Sequence, residues 1–195
     1  MILGIEKPDR GTVLFEGKTV EDRITRLGNI SAVFQDYTSS INPFFTVEEA
    51  IMEPLKFLKK VQKENKIKLD KLLNQVGLNP SYRKKYPHEL SGGEVQRVCI
   101  ARAISTEPKC ILLDEAISSL DVSVQTQVLE LLKKLKKVYN MSYVFITHDI
   151  QAAAYICDRV IIFRNGQIEE IVNIEQLKDV QSEYARKFLQ MLITF

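Results

Sequence analysis

The hydrophobic pattern of the chain is most regular between residues 122 and 139. Apolar residues recur there every three or four positions, and this spacing predicts a helix with one apolar face. The apolar face consists of Val124, Val128, Leu131, Leu132, Leu135 and Val138, and the lysines off it are Lys133, Lys134, Lys136 and Lys137. We therefore expect a helix that packs on a core with one side and meets solvent with the other.

Short apolar runs bounded by turn residues predict strands elsewhere in the chain. These runs span residues 11–17, 30–34, 110–113, 143–147, 159–163 and 167–172. The Asn165-Gly166 dipeptide between the last two is a strong signal for a hairpin turn. A short helix is expected over residues 150–157. Because strands alternate with helices from residue 110 onward, the pattern predicts an α/β fold with a parallel sheet covered on both faces.

Two further segments show helical spacing. Residues 47–76 are rich in Glu, Lys and Leu, and seven lysines fall between Lys56 and Lys71. We interpret this basic run as a solvated helix face rather than as a binding patch. Apolar residues at helical spacing also predict a helix over residues 176–195.

Composition excludes several classes of protein. The 195 residues are 45% hydrophobic and 27% charged, a globular balance for about one domain. The net charge of +2 gives no reason to expect a nucleic-acid partner. No stretch without Asp, Glu, Lys or Arg exceeds 11 residues, which is too short to span a bilayer. The three cysteines lie in apolar runs, so we expect buried thiols rather than disulfides or a zinc site.

Two adjacent carboxylates, Asp114 and Glu115, follow the apolar run that begins at Cys110. Open α/β sheets bind their ligands at the carboxyl ends of the strands. Side chains alternate in direction there, so one carboxylate can hold Mg²⁺ while the next polarises a water. Taken alone, the pair fits equally well a strand end that starts a turn.

A second candidate site is the segment Leu90-Ser91-Gly92-Gly93-Glu94, which precedes a helical pattern. Its small residues leave the backbone N–H groups at the helix start open to an anion such as a terminal phosphate. An ordinary serine N-cap followed by flexible glycines would show the same pattern.

The order and spacing of these motifs resemble one family. Leu-Ser-Gly-Gly-Glu, the Asp114-Glu115 pair, Ser119-Leu120-Asp121 and Ile146-Thr147-His148-Asp149 follow one another as in the nucleotide-binding subunit of an ATP-binding cassette (ABC) transporter. The resemblance runs from Ile2 to about Val172. It implies a RecA-like P-loop NTPase core with a helical signature subdomain, and ATP and Mg²⁺ as ligands.

The resemblance also implies a role for each motif residue. Gln35 looks like the Q-loop glutamine and Asp114 like the Walker B aspartate, both toward Mg²⁺, and Glu115 looks like the catalytic carboxylate. The residues that resemble nucleotide contacts are Ser91, Gly92, Gly93 and Glu94 of the signature and Asp121 of the D-loop. His148 resembles the switch histidine, which would hold the γ-phosphate and the water against Glu115. The departures from the family pattern are Glu94, Ala116-Ile117 and Ser119.

The family comparison predicts one nucleotide-binding domain over residues 1–195. Residues 1–46 and 105–175 are expected to form the RecA-like core, 47–104 the helical subdomain with the signature, and 176–195 a C-terminal helical tail.

A finer resemblance is to the oligopeptide, dipeptide and nickel import branch. The segments that carry it are residues 35–47, 86–90 and 120–125. It implies two direct partners, the transmembrane permease subunits and a second ATP-binding subunit, and indirectly an extracytoplasmic substrate-binding protein. The expected location is the cytoplasmic face of the membrane, as a peripheral subunit. Which substrate is carried is left open, because selectivity belongs to the other components.

The P-loop pattern G-x-x-x-x-G-K-[ST] is the one expected motif that these residues do not contain. Gly11 and Gly17-Lys18-Thr19 come near it, with five residues instead of four between the glycines and a strand pattern between them. We therefore expect a chain truncated inside the P-loop helix, with an open sheet edge beside the 110–113 strand and poor competence for ATP hydrolysis alone. The alternative is a non-catalytic remnant or regulatory module that docks to a transporter or a partner ATPase. A chromosome-maintenance or translation ATPase of the same family fits less well, since residues 35–47 resemble an importer.

Overall fold

Three parallel strands form a sheet in the order β3-β4-β5: β3 (Ile30–Phe34), β4 (Cys110–Asp114) and β5 (Ser142–Ile146). The computed structural model describes residues 1–36, 39–58 and 65–193. The register places Asp114 opposite both Phe34 and Ile146, so the carboxyl ends of all three strands meet at one edge. The expected open edge beside the 110–113 strand is wrong, because β3 and β5 pair with β4 on both sides.

The chain divides into two compact units, Met1–Ile146 and Thr147–Phe195. The first unit holds the parallel sheet, five helices among its described residues and a small hairpin. The helices are α1 (Arg23–Arg26), α2 (Val47–Phe57), α3 (Asn65–Gln75), α4 (Gly92–Ile104) and α5 (Val122–Tyr139). Among the described residues from 47 to 104 there is no strand, only helices and the 3₁₀ segments Pro80–Lys84 and Pro87–Glu89. The division into a RecA-like core and a helical subdomain stays a prediction.

Helix α4 lies at the centre of the packing in the first unit, against β3, α2, α3 and α5. The largest fully buried side chains of this unit come from these elements and from β4. They include Ile51, Leu55, Leu72, Leu73, Ile100, Ile104, Ile111, Leu113 and Leu132. The apolar runs of the sequence thus become one core that joins the sheet to the helices.

Helix α5 begins and ends where the apolar spacing predicts. Val128, Leu131, Leu132 and Leu135 are buried, as expected from the stripe. Val138 is 58% exposed, however, so its predicted place on the packed face is wrong. It lies in the last turn before Asn140, which ends the helix in the left-handed conformation at φ 47°. Helical spacing alone does not show where the packing partner ends.

The strand predicted within residues 11–17 is β1 (Leu14–Phe15), and it ends in a turn that leads into its antiparallel partner, β2 (Lys18–Thr19). Both residues of its turn, Glu16 and Gly17, have positive φ, at 49° and 76°. Two consecutive positive φ values are the geometry of a tight hairpin turn.

The second unit contains α6 (Ile150–Ile156), the hairpin strands β6 (Arg159–Arg164) and β7 (Gln167–Asn173), and α7 (Glu183–Ile193). The hairpin turns at Asn165-Gly166 as predicted. Its buried cluster consists of Ile150, Ala153, Ile162, Val180, Ala185 and Leu189. The helix predicted over 176–195 is interrupted, because the 3₁₀ segment Ile174–Asp179 and α7 are separated by three residues without helical structure.

The cysteines behave as the composition predicts. Cys99 and Cys110 are buried and Cys157 is half-buried, and all three are free thiols. Burial raises the pKa of the Cys99 thiol to about 12. Among the described residues, no helix combines the length and the apolar character needed to cross a bilayer. The lysine run predicted to be a solvated helix face falls partly on residues 59–64, which lie outside the described residues.

Candidate functional site

The carboxyl edge of the parallel sheet brings three of the candidate residues together. Asp114 is the last residue of β4 and is half-buried, and Glu115 follows it. Gln35 follows Phe34, the strand partner of Asp114, so its exposed side chain belongs to the same edge. Parallel strands present their carboxyl ends together. The roles of these residues toward Mg²⁺ and water, which the family resemblance implies, stay predictions.

Glu115 has an unusual backbone conformation. Its φ is +48°, a left-handed geometry that costs a residue with a side chain about 1–2 kcal/mol. The backbone N–H of Glu115 donates to the carbonyl oxygen of Ile146 on β5 at 2.9 Å. The neighbouring strand therefore fixes the point at which β4 turns.

The turn that follows Glu115 is held by short-range hydrogen bonds. Ser118 donates to the Glu115 carbonyl oxygen from its N–H at 3.2 Å and from its Oγ at 2.9 Å, and the Leu120 N–H donates to Ile117 at 3.1 Å. Ala116 and Ile117, which depart from the family pattern, are buried and serve as apolar anchors for this turn. The turn ends at Asp121, the exposed N-cap residue of α5, whose side chain makes no capping bond.

The oxygen atoms at this edge suit Mg²⁺ bound to a nucleotide. Mg²⁺ prefers oxygen ligands and is commonly held by one or two carboxylates together with substrate phosphates and water. Asp114 and Gln35 supply a carboxylate and an amide oxygen. Within the described residues, no group of three His, Cys, Asp or Glu side chains could hold a metal by itself. Two such oxygen donors fit a Mg²⁺ ion whose other ligands are phosphates and water.

The loop after Gln35 is tied to the helices behind it. Asp36 accepts hydrogen bonds from the Ser39 N–H at 3.0 Å and, at its carbonyl oxygen, from Ser40 Oγ at 2.6 Å. Arg102 on α4 donates to the Ser40 carbonyl oxygen at 2.7 Å and to the Glu53 carboxylate on α2 at 2.6 Å. Ser40 is therefore held by α4, through an arginine that α2 also holds.

The signature segment starts α4 with a capping box. Glu94 Oε2 accepts from the Ser91 N–H at 2.8 Å and from Ser91 Oγ at 2.9 Å. Glu94 Oε1 accepts from the Tyr82 hydroxyl at 2.6 Å. The Tyr82 bond, followed by the bond from the Ser91 backbone, lowers the pKa of the Glu94 carboxyl. Within this chain, the Glu94 carboxylate is thus engaged in holding the helix start; its predicted contact with a nucleotide stays a prediction.

Tyr82 is a residue that sequence reasoning missed, since no local pattern places it beside Glu94. The capping box itself was readable, because Ser91 and Glu94 have the S-x-x-E spacing that favours it.

The two glycines of the signature lie half-buried in the first turn of α4. A Cβ added at Gly93 would lie 2.7 Å from Val124 Cγ1, on the first turn of α5. Gly93 therefore permits close packing of α4 on α5, independently of any phosphate.

His148 belongs to the second unit, where it is exposed and follows β5 by two residues. Beside it, Asp149 caps α6 by accepting from the N–H groups of Gln151 and Ala152 at 2.8 and 3.1 Å. The placement of His148 against Glu115 stays a prediction.

Comparisons with known proteins agree with these motifs. The sequence profile described as ABC transporter matches residues 1–118. The metal-staphylopine import system ATP-binding protein CntF of Staphylococcus aureus is 50% identical over 196 aligned residues, which cover 100% of this chain and 79% of CntF. The nickel import ATP-binding protein NikE of Rhodospirillum rubrum is 42% identical, with 87% of this chain and 64% of NikE covered.

More distant relatives extend the comparison to peptides and to a solved structure. The oligopeptide transport ATP-binding protein AppF of Bacillus subtilis is 38% identical, with 91% of this chain and 56% of AppF covered. The dimeric post-hydrolysis structure of the ATP-binding cassette MJ0796, bound to ADP and Pi, superposes with a TM-score of 0.75 at 29% identity. The match covers 88% of this chain and 76% of that one.

Proposed function

Since the chain belongs to the ABC transporter family, as an ATP-binding subunit with an α/β fold of the RecA-like type, we propose that it energises the import of chelated metal, nickel or peptides. The observation that carries the proposal is the 50% identity to CntF along the whole chain. Members of this family are ATPases that couple hydrolysis to transport. The import branch is further supported by NikE and AppF, whose names include nickel import and oligopeptide transport.

In the proposed mechanism, the nucleotide is bound and hydrolysed at the carboxyl edge of the parallel sheet. Asp114 and Gln35 would hold Mg²⁺, which supplies charge neutralisation to the phosphates when bound. Glu115 is proposed to polarise the attacking water, because it directly follows β4 at the sheet edge where ligands of α/β folds bind. His148 is proposed to hold the γ-phosphate and that water.

The signature is proposed to act on the nucleotide of a second subunit. Gly92 and Gly93 present N–H groups at the start of α4, where the helix dipole favours an anion, and Ser91 precedes them as the N-cap residue. Glu94 holds that helix start in place. Asp121, which resembles the D-loop aspartate of the family, is proposed to contact nucleotide as well. This proposal is supported by the dimeric state of the MJ0796 structure.

The partners proposed are the permease subunits, a second ATP-binding subunit of the same or a related chain and, indirectly, an extracytoplasmic binding protein. The chain would then lie at the cytoplasmic face of the membrane as a peripheral subunit. We propose no nucleic-acid partner, in keeping with the net charge of +2.

Uptake in cells tests the proposed function. Cells that lack this chain are given radiolabelled nickel, a nickel chelate or a labelled oligopeptide, and uptake is compared with cells that carry it. We expect accumulation of one of these three classes to fall to background and to return when the chain is restored. Unchanged uptake of all three would contradict an importer.

A second candidate function, a non-catalytic docking module, is favoured by one observation, the absence of G-x-x-x-x-G-K-[ST] from the 195 residues. The two candidates predict different results for a Glu115→Gln chain in the same cells. An ATPase subunit with that change does not restore uptake, whereas a docking module restores it fully.

A further inference from the structure

A fully buried glutamine links the signature helix to the turn that carries Glu115. Gln96 on α4 has an exposed fraction of 0%, and its Nε2 donates to the carbonyl oxygen of Ala116, the residue after Glu115. The link joins positions 20 residues apart in sequence. Gln96 lies on the same helix as Ser91, little more than one turn further along.

The Ala116 carbonyl is one of several in this turn that side chains hold. Gln125 on α5 donates from its Nε2 to the carbonyl oxygens of Ile117 at 3.1 Å and Leu120 at 3.0 Å. Ser118 Oγ donates to the carbonyl oxygen of Glu115. Two helices and the turn itself thus fix the peptide groups between the strand end and Asp121.

Stability is a poor explanation for a glutamine at position 96. Its Oε1 is buried and has no hydrogen-bond partner among the described residues, so half of the amide is desolvated without compensation. A methionine would fill a similar volume without that cost. What methionine could not do is donate a hydrogen bond to the Ala116 carbonyl.

We propose that Gln96 is a positioning residue: it holds the Ala116 peptide so that Glu115 keeps its left-handed backbone, and it makes the start of α4 and the Glu115 turn move together. This proposal rests on the role of Glu115 in the proposed function. Beyond the proposed function, a displacement of α4 would therefore also displace the turn that carries Glu115 in the same chain.

The test compares Gln96→Met with Gln75→Met, a matched control. Gln75 is a half-buried glutamine on α3 that accepts from the Tyr139 hydroxyl at 2.6 Å, outside the turn. The first readout is hydrogen–deuterium exchange of the Glu115, Ser118 and Leu120 amides, each of which donates within or beside the turn. The second is ATP turnover of a P-loop chimera, defined as this chain with a P-loop segment of the family joined ahead of Ile2.

We expect Gln96→Met to exchange the Glu115 and Ser118 amides at least tenfold faster, without a comparable change at α2 or α3. In the P-loop chimera it should lower kcat at least tenfold and leave KM for ATP within twofold. Gln75→Met should change neither the exchange in the turn nor kcat. If Gln96→Met does not fold, Gln96→Asn, which retains the amide but is one methylene shorter, should show the same two effects.

Unchanged exchange in the turn would overturn the proposal, and so would faster exchange with unchanged kcat. A fall in kcat accompanied by equal loosening of the whole first unit would also overturn it, because Gln96 would then be a structural residue only. A P-loop chimera with the natural Gln96 that shows no turnover would contradict the proposed function itself, and the catalytic part of this proposal with it.

Discussion

At the start of α4, hydrogen bonds favour the ionised form of the Glu94 carboxyl. The hydrogen bonds from Tyr82 and Ser91 lower the pKa of its carboxyl below the ordinary 4.5. A carboxyl whose pKa is lower in the folded than in the unfolded chain stabilises the fold above the unfolded pKa. That contribution is lost as the pH falls through the folded pKa.

The first prediction concerns Glu94→Gln. Glutamine has the shape to cap the Ser91 N–H but cannot ionise. The free energy of unfolding of the natural chain should therefore exceed that of Glu94→Gln above about pH 5, and this difference should shrink as the pH falls below about 4.5. Urea unfolding between pH 3 and 7 measures it. A difference that does not vary with pH would contradict the assignment.

At the scale of elements, the apolar spacing of the sequence predicted the bounds of single helices and strands but not their arrangement in the sheet. Strand β3 and helix α5 have the bounds that the apolar spacing predicts, because a short apolar run and a continuous helical stripe leave few alternatives. The order β3-β4-β5 could not be read from the sequence, because strand neighbours are chosen by long-range pairing. The expected gap beside β4 was wrong for this reason.

In the candidate site, too, the sequence indicated individual residues but not the contacts between elements. The family resemblance predicts that Asp114 and Gln35 both approach Mg²⁺, and the structure places both at the carboxyl edge of the sheet. The capping of Glu94 by Tyr82, the contact of Gly93 with Val124 and the Gln96 bond to Ala116 all join separate elements. No local spacing encodes such contacts, so the packing of α4 had to be known first.

The second prediction concerns the end of α5. Asn140 has φ 47° and its N–H donates to the carbonyl oxygen of Lys136, which makes it a left-handed C-cap. Alanine is strained in this conformation and glycine is not. Asn140→Ala should lower the free energy of unfolding by about 1 kcal/mol, whereas Asn140→Gly should leave it unchanged or raise it slightly. Urea unfolding of the three chains checks this order, and equal effects of the two substitutions would contradict it.

At the scale of the whole molecule, ATP binding requires more than the sheet edge. Asp114 and Gln35 contact a nucleotide chiefly through Mg²⁺ in the proposed site, and the 195 residues contain no P-loop pattern to supply N–H groups and a lysine. Each charge-assisted phosphate contact contributes about 1.5–3 kcal/mol. Several such contacts separate micromolar from millimolar affinity.

The third prediction is therefore weak binding by the 195-residue chain alone. Titration with a fluorescent ATP analogue and Mg²⁺ should give a Kd of about 1 mM or higher. The P-loop chimera should bind the same analogue in the micromolar range, because the added P-loop supplies phosphate contacts. Saturable binding by the 195-residue chain below about 10 µM would contradict this prediction.

Phosphate release by the P-loop chimera tests most directly the claim that Glu115 is the hydrolytic carboxylate. Glu115→Gln should lower turnover by about 10²–10⁴-fold, since it removes the group that polarises water, while leaving the affinity for the ATP analogue unchanged. Glu130→Gln, which alters an exposed glutamate on α5, is the matched control and should turn over at the natural rate. Near-natural phosphate release by the Glu115→Gln chimera would contradict the account.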